Sequence, residues 1–419
     1  MPIDYAHPPP GVKREVAHIS DTRPRARTAP TGEAVSRAEI LGLLAETGPL
    51  SRGEIAKQLG LGAATVTAQV RNLMAEGLVR DLPAGQSAGA GRPKVPVELV
   101  SDAAVVLGLG IGPHAVVAVA MLIDGQILAS RTIPFAPEAD PVGQLAAIVA
   151  GQMQDLAHPE RTVAVGVSVS GAVDQNSSTV IISATLDWEN FDLGQQLQEA
   201  LDLPVFVSND LFASATREIS FGLGRKHDDF LLLGLGPGVG MGIVSRRSVF
   251  YGPDGASTEF GHMSVDPAGP RCVCGNSGCL QVYAGLKELL AGAPEPGGAP
   301  TLEELSRQAG NPGSAAGVYL ARTGRMLGRS LGGVVNLLGI ATIIVTGETT
   351  ALWEHLRPGF EAGLQETVLR FHHPLNITVK EWTEAESAIG AAGMALHNAI
   401  SLNPGRGRTP VEPAETTRT

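Results

Sequence analysis

The densest grouping of reactive side chains in this 419-residue chain lies between positions 259 and 281. Glu259-Phe260-Gly261-His262 is followed, ten residues on, by Cys272-Val273-Cys274-Gly275-Asn276-Ser277-Gly278-Cys279. All 3 cysteines of the chain fall in that short run. One imidazole and three thiolates form a closed tetrahedral donor set, so His262, Cys272, Cys274 and Cys279 are the expected ligands of a structural zinc ion. An odd, clustered set of cysteines fits a metal better than a disulfide framework. The glycines let the loop fold tightly enough for the thiolates to converge.

Two glycine-rich turns are the next candidates. One reads Gly110-Ile111-Gly112-Pro113-His114, the other Gly236-Pro237-Gly238-Val239-Gly240-Met241-Gly242. Glycine alone does not make a phosphate site, because any tight turn uses it. In the first turn Pro113 removes a backbone N–H that an anion would need.

The elements that must position these residues follow from periodicity. From Val105 the pattern is α/β: VVLGLGIG, VVAVAMLID and GQILASRTI read as successive strands, as do VAVGVSVSG, LPVFVSND and ATIIVTGE. Helices are expected at 145–156, 317–338 and from Glu386 to Ser401. The strand sets near 105 and near 230 resemble each other, as duplicated lobes would.

Residues 34–82 differ. They carry three amphipathic helical segments: Ala34 to Glu46, Ser51 to Leu59 with the Ser51/Glu54 capping box, and Ala63 to Glu76 ended by Gly77. Short strands are expected at 78–82 and 95–99 around the loop PAGQSAGAGRPK. Three helices and a two-stranded wing make an α+β winged helix-turn-helix, whose third helix enters the major groove. Thr65, Thr67, Gln69 and Arg71 are the expected readers of bases and phosphates on that helix. Arg92, between Gly91 and Pro93 at the wing tip, is expected in an AT-rich minor groove. The expected partner is double-stranded operator DNA.

Charge agrees with that division. Residues 1–100 hold 12 basic and 10 acidic side chains, and the remainder 19 and 32, so only the N-terminal part suits DNA. No apolar run approaches the roughly 18 residues of a membrane span, and the N-terminus lacks a signal-peptide core. A cytoplasmic protein without membrane contact is expected. The expected organisation is a disordered leader at 1–33, the DNA-binding domain at 34–100, a second domain at 101–402 and a disordered tail at 403–419.

The string E-x-G-H…C-x-C-G-x-x-G-C resembles the signature of the ROK family, named for repressors, uncharacterised reading frames and sugar kinases. The preceding winged helix with its Gly91-Arg92-Pro93 resembles the repressor branch. The resemblance covers about residues 35–400 and implies a two-lobed, actin-like α/β sugar-kinase fold. It also implies a sugar effector bound between the lobes, held by Asn209, Asp210, Glu259, His262 and Gln281. Asp210 stands where the kinases keep their catalytic base, and it fits the carboxyl end of a strand, where α/β folds bind ligands. A helix N-cap is an equally good use of that segment. Gln281 replaces the usual Glu after the cysteine motif, and Gly110 replaces the Asp of the kinases' D-x-G-G-T-K. Gly347-Glu348 stands where the adenosine segment has Gly-Gly. The changes at Gly110, Pro113 and Glu348 predict the absence of kinase activity, and the resemblance to the repressor branch implies a repressor of carbohydrate genes acting as a homodimer or a dimer of dimers. Two alternatives stay open: an active, glucokinase-like ATP-dependent sugar kinase with a DNA-binding domain, and a regulator that answers to a partner protein or a phosphosugar.

Overall fold

The computed structural model describes residues 32–83, 95–174, 176–252, 258–294, 298–311 and 313–401. The expected leader and tail lie outside them, except that Gly32 and Glu33 already begin the first helix.

The N-terminal head is α1 (Gly32–Thr47), β1 (Leu50–Ser51), α2 (Arg52–Leu59), α3 (Ala63–Ala75), β2 (Val79–Asp81) and β3 (Pro96–Leu99). The Ser51/Glu54 capping box forms and starts α2 directly after β1. Gly60, at φ 65°, ends α2 in the left-handed conformation and sets up the turn to α3. The strands pair in the order β1-β3-β2. Arg37 of α1 forks onto Glu76 at the end of α3, with N–O distances of 2.7 and 2.5 Å, and so fixes the reading helix against the first.

Two lobes follow, each built on five strands. The first has β4 (Val105–Ile111), β5 (Ala115–Leu122), β6 (Ile127–Pro134), α4 (Pro141–Gln154) and β7 (Thr162–Val169). A small separate sheet, β8 (Ala172–Asp174), β9 (Thr179–Ser183) and β10 (Trp188–Phe191), then leads to α5 (Leu193–Leu201), β11 (Val205–Asn209) and α6 (Asp210–Phe221). The second lobe has β12 (Phe230–Leu235), β13 (Val239–Ser245), β14 (Ser248–Val249), α7 (Gln281–Ala284), α8 (Leu286–Ala291) and α9 (Leu302–Gln308). It continues with α10 (Ala315–Leu338), β15 (Thr342–Thr346), α11 (Trp353–Thr367), β16 (Asn376–Val379) and α12 (Glu386–Ser401).

The sheet orders are β11-β7-β4-β5-β6 and β14-β13-β12-β15-β16. Read from the outer parallel strand, both run parallel, parallel, then an antiparallel three-strand meander. The duplication expected from the sequence is therefore a duplication of topology. It makes β12 the counterpart of β4 and β13 the counterpart of β5.

Two helices lie between the sheets. Phe212, Ala215 and Ile219 of α6 pack on the second sheet, whereas Ala388, Ala392 and Ala395 of α12 pack on the first. Several strand glycines serve this close packing. A Cβ at Gly108 or Gly166 would sit 2.0 Å from the carbonyl of Ala388 or Ala391, so α12 lies almost directly on the strand backbones. Lys380 ties the crossing together by reaching both Glu218 of α6, at 3.0 Å, and Glu386 of α12. Burial pushes the Glu218 carboxyl up, but Lys380 and Arg217 outweigh it and hold it below its ordinary range. The head shares one apolar core with this layer: Ile40, Leu41 and Leu44 of α1 join Met394 and Leu396 of α12 and Met121 of β5.

Candidate functional site

The metal-ligand candidates converge. The ligand atoms of His262, Cys272, Cys274 and Cys279 all lie within 4.8 Å of one another. Cys272 Sγ stands 3.5 Å from His262 Nδ1, and Cys274 Sγ stands 3.6 Å from Cys279 Sγ. Backbone geometry explains the spacing. Gly278 has φ 64°, and a Cβ there would fall 1.5 Å from the Asp266 carbonyl, so only glycine closes the loop back to Cys279. Burial, followed by the neighbouring thiols, pushes Cys279 up to about 12. Thiols gathered this way have little reason to ionise together without a cation between them. The donor set and its closure fit a metal ion.

His262 presents its two nitrogens to different partners. Nδ1 faces the sulfurs, and Nε2 lies 3.7 Å from the exposed Glu259 carboxylate. A metal on Nδ1 would leave Nε2–H directed outward, the arrangement in which an imidazole ligand also orients a second group.

The remaining candidates gather around the turn between β12 and β13. Gly261 packs on β13, where a Cβ would meet the Val239 carbonyl at 2.2 Å. Leu211, next to Asp210, fills the space over Gly234 and Gly240. Gln281 spends both ends of its amide on this turn: Oε1 accepts from Val239 N at 2.8 Å and Nε2 donates to the Pro237 carbonyl at 3.0 Å. It thus joins the end of the cysteine loop to the glycine turn. Asn209 is likewise engaged. Its Oδ1 accepts from Leu211 N and Phe212 N as the N-cap of α6, and its Nδ2 donates to the Gly171 carbonyl. Asp210 Oδ1 accepts from Leu211 N at 2.8 Å. Desolvation at the carboxyl end of β11 raises it to about 6, against the opposing pull of the backbone N–H groups.

The first glycine turn is built differently. β4 and β5 close directly on each other: Gly112 N donates to the Ala115 carbonyl, and Phe135 N to the His114 carbonyl. At Gly110 a Cβ would fall 2.1 Å from Ser387 Oγ and 3.0 Å from Ala388 N. The N-terminal end of α12 occupies the space that any side chain at position 110 would take. Ser168 Oγ holds α12 there by donating to the Ser387 carbonyl at 3.0 Å. Ser387 was not foreseen, because nothing local in the sequence links it to a turn almost three hundred residues away. Beyond β15, a cleft of about 650 Å³ is lined by Leu302, Ser306, Arg307, Glu348 and Trp382. Burial raises the Glu348 carboxyl there.

On the head, Thr65, Thr67 and Arg71 of α3 are exposed as expected, and Thr67 Oγ1 donates to the Ala63 carbonyl. Gln69 is a correction. It is 2 % exposed and faces inward with Val66, Val70 and Leu73. The helical period of 3.6 residues places 66, 69, 70 and 73 on one stripe. Asn72 is exposed instead, one turn beyond Ala68, and the same periodicity would have found it. Arg92 lies outside the described residues. Among the described residues no helix is long and apolar enough to cross a membrane.

Comparison with known proteins agrees with both halves of the chain. The ROK family model matches residues 106–398, and a winged helix-turn-helix DNA-binding model matches residues 37–80. The xylose repressor of Bacillus spizizenii is 29% identical over 265 residues, 61% of this chain and 67% of that protein. The DNA-binding transcriptional dual regulator NagC of Escherichia coli is 28% identical over 385 residues, 88% of this chain and 94% of NagC. Among solved structures, a ROK family transcriptional regulator described as a homologue of the E. coli MLC protein superposes with a TM-score of 0.74. It is 24% identical and covers 88% of this chain and 96% of its own. A ROK family glucokinase from Streptomyces griseus, solved with glucose and AMPPNP, gives a TM-score of 0.59 at 26% identity. It spans 99% of its own length but 70% of this chain.

Proposed function

Because this chain belongs to the ROK family, we propose that it is a sugar-responsive transcriptional regulator, most simply a repressor of carbohydrate genes, that carries out no phosphoryl transfer. The observation that carries the proposal is the joint one of a DNA-reading head seated on the helices between the lobes and a filled turn at Gly110. Phosphoryl transfer depends on positioning and charge neutralisation around a phosphate chain. Here the first turn offers no carboxylate, Pro113 offers no N–H, and Ser387 fills the space. Glu348 adds a partly buried carboxyl where a nucleotide would lie. The names of the relatives, the xylose repressor above and an N-acetylglucosamine repressor of Escherichia coli O6:H1 that is 28% identical over 385 residues, support the class of ligand.

The metal at His262, Cys272, Cys274 and Cys279 is proposed to be a structural zinc ion, which would supply rigidity rather than reactivity. The chain's own groups then do the binding. Asp210 accepts a hydrogen bond from a sugar hydroxyl, Glu259 accepts a second, and His262 Nε2 donates. Asn209 and Gln281, also expected to touch the sugar, hold α6 and the glycine turn in shape and each keep a second amide N–H for it. The expectation of a homodimer or dimer of dimers places two heads on a palindromic operator, with Thr65, Thr67, Arg71 and Asn72 toward the major groove and Arg92 toward the minor groove. A cytoplasmic location follows from that partner.

Purified full-length protein incubated with ATP, magnesium and D-glucose, D-xylose or N-acetylglucosamine should give no phosphorylated sugar. Calorimetry should give binding of at least one of the three without nucleotide. Turnover at ordinary kinase rates, of order 1–100 per second, would defeat the proposal.

A further inference from the structure

Strand β13 joins the glycine turn of the candidate sugar site to the underside of the head. At its start, Val239 N is held by Gln281, and Gly261 of the E-x-G-H segment lies against the Val239 carbonyl. Seven residues later, about 23 Å along a strand, it ends in a two-residue turn, because Val244 pairs with Val249 and Ser245 with Ser248. The turn residues are Arg246 and Arg247, with φ of 52° and 59°. Two successive left-handed residues make the type I′ hairpin that ordinarily selects Asn-Gly. The counterpart turn of the first lobe, between β5 and β6, is longer and gives its left-handed position to a glycine, Gly125 at φ 89°. The topology alone therefore does not ask for arginine. The strained conformation is fastened from outside: Asp229 Oδ1 accepts from Ser245 Oγ at 2.7 Å and from Arg246 N at 3.1 Å, while Arg247 N donates to the Asp228 carbonyl.

The side chain of Arg247 explains the choice. Its guanidinium donates to the carbonyls of Arg225 and Ile219, at 2.8 and 3.1 Å, where α6 ends. Its Nε lies 3.5 Å from the carboxylate of Glu39 on α1. Glu39 belongs to a face of α1, at spacings of three and four residues, that meets the same junction. A Cβ at Gly42 would lie 3.0 Å from the Ser220 carbonyl, and Glu46 pairs with Arg225 at 2.6 Å. The head is thus seated on the end of α6 through residues 39, 42 and 46. One of these three contacts is made by the tip of the strand whose other end frames the cleft.

We infer that Arg247 is a positioning residue that couples the 236–240 turn to the seat of α1, so that a change in the cleft is felt by the DNA-reading head. The inference rests on the reading of that cleft and head given above. A strained tip that touches two elements at once suits such a role, and the coupling is reciprocal: what loosens the seat also alters the turn.

The test needs neither ligand nor operator. Hydrogen exchange of the full-length protein is followed by mass spectrometry for the wild type, Gln281→Ala, Arg247→Ala and the double variant. Gln281→Ala is expected to speed exchange of the α1 amides about threefold in the wild-type background and to add nothing in the Arg247→Ala background, the non-additivity that marks coupled sites. Arg247→Lys, which keeps the charge toward Glu39 but not the fork onto two carbonyls, should retain part of the effect. If Gln281→Ala loosens the 236–240 turn and leaves α1 untouched, or if the two effects simply multiply, the inference is overturned. D-glucose, D-xylose and N-acetylglucosamine are added in separate arms. An α1 response to any of these sugars that disappears in Arg247→Ala supports the coupling and the effector reading together. Intact Gln281–Arg247 coupling with no response to any of the three supports the coupling and removes the effector reading.

Discussion

The two lobes carry the same hairpin with opposite treatments. Both turns carry a proline, Pro113 and Pro237, and a backbone bond across them, from Gly112 N to the Ala115 carbonyl and from Gly236 N to the Gly238 carbonyl. In the first lobe, however, Ser387 and the backbone of Ala388 on α12 stand against Gly110. In the second lobe the turn between β12 and β13 stays framed by Gln281 and by Leu211 over Gly240. A duplicated fold has kept both turns and given them different neighbours. The glycines look alike in both, so what differs is what has grown into the space beside them. Loss of phosphate chemistry on this reading is an act of packing as much as of residue replacement.

That contrast can be broken at four points, in decreasing order of effect. The second turn is framed through the cysteine loop, so removing the metal should hurt it most. Cys279→Ser should leave less than one zinc per chain by metal analysis and weaken sugar binding roughly 10- to 100-fold by calorimetry. Next come matched glycine substitutions in the two turns. Gly110→Ala drives a methyl into Ser387 Oγ and toward the backbone of Ala388, and overpacking of this kind costs about 1–3 kcal/mol. Gly240→Ala meets only the movable tip of Leu211. The first variant should lower the melting temperature clearly more than the second, and equal losses would erase the distinction drawn between the turns. Gly110→Asp, which restores a kinase-like carboxylate, should destabilise further and gain no turnover.

A smaller effect is expected from Gln281→Glu. A carboxylate still accepts from Val239 N but repels the Pro237 carbonyl, for a loss of about 1–2 kcal/mol in chemical denaturation. The smallest is a slope. His397, packed under the head with Ser220 Oγ on its Nδ1, is lowered from 6.5 to about 4 by burial and by the nearby Arg247. The unfolded chain takes up that proton first, so stability falls as pH drops from about 6.5 toward 4. Asp210 is raised to about 6 from 3.8, so the native state takes up its proton first and stability from this group rises over the same descent. The two oppose each other. Asp210→Asn removes the compensating group and should steepen the acid loss between pH 6 and 4, by at most about 1.4 kcal/mol per pH unit. An unchanged slope would mean that Asp210 is not desolvated in the cleft.

Much of this arrangement is legible in the sequence because it is local. The capping box at Ser51, the glycine stops, the strand runs and the His–Cys spacing each act within a few residues, and the structure places them as read. Gln69 failed for a local reason as well, since the inward stripe of α3 is one residue wider than the apolar residues alone mark. Asn209 and Gln281 show the other limit. Both carry amides able to bind a hydroxyl, and both meet backbone partners from distant segments first. The plug at Gly110 and the reach of Arg247 to Glu39 depend on pairs separated by roughly half of the chain or more, which no window on the sequence contains.

The central claim is that a sugar in the cleft changes the grip of the head on DNA with no phosphate transferred. A duplex selected by the full-length protein from random DNA, titrated with and without D-xylose, D-glucose and N-acetylglucosamine in the absence of ATP, tests it most directly. The account predicts specific, salt-dependent binding whose Kd shifts about 5- to 150-fold with at least one of these sugars. Identical Kd values with all three, accompanied by ATP-dependent sugar phosphorylation by the same preparation, would contradict it.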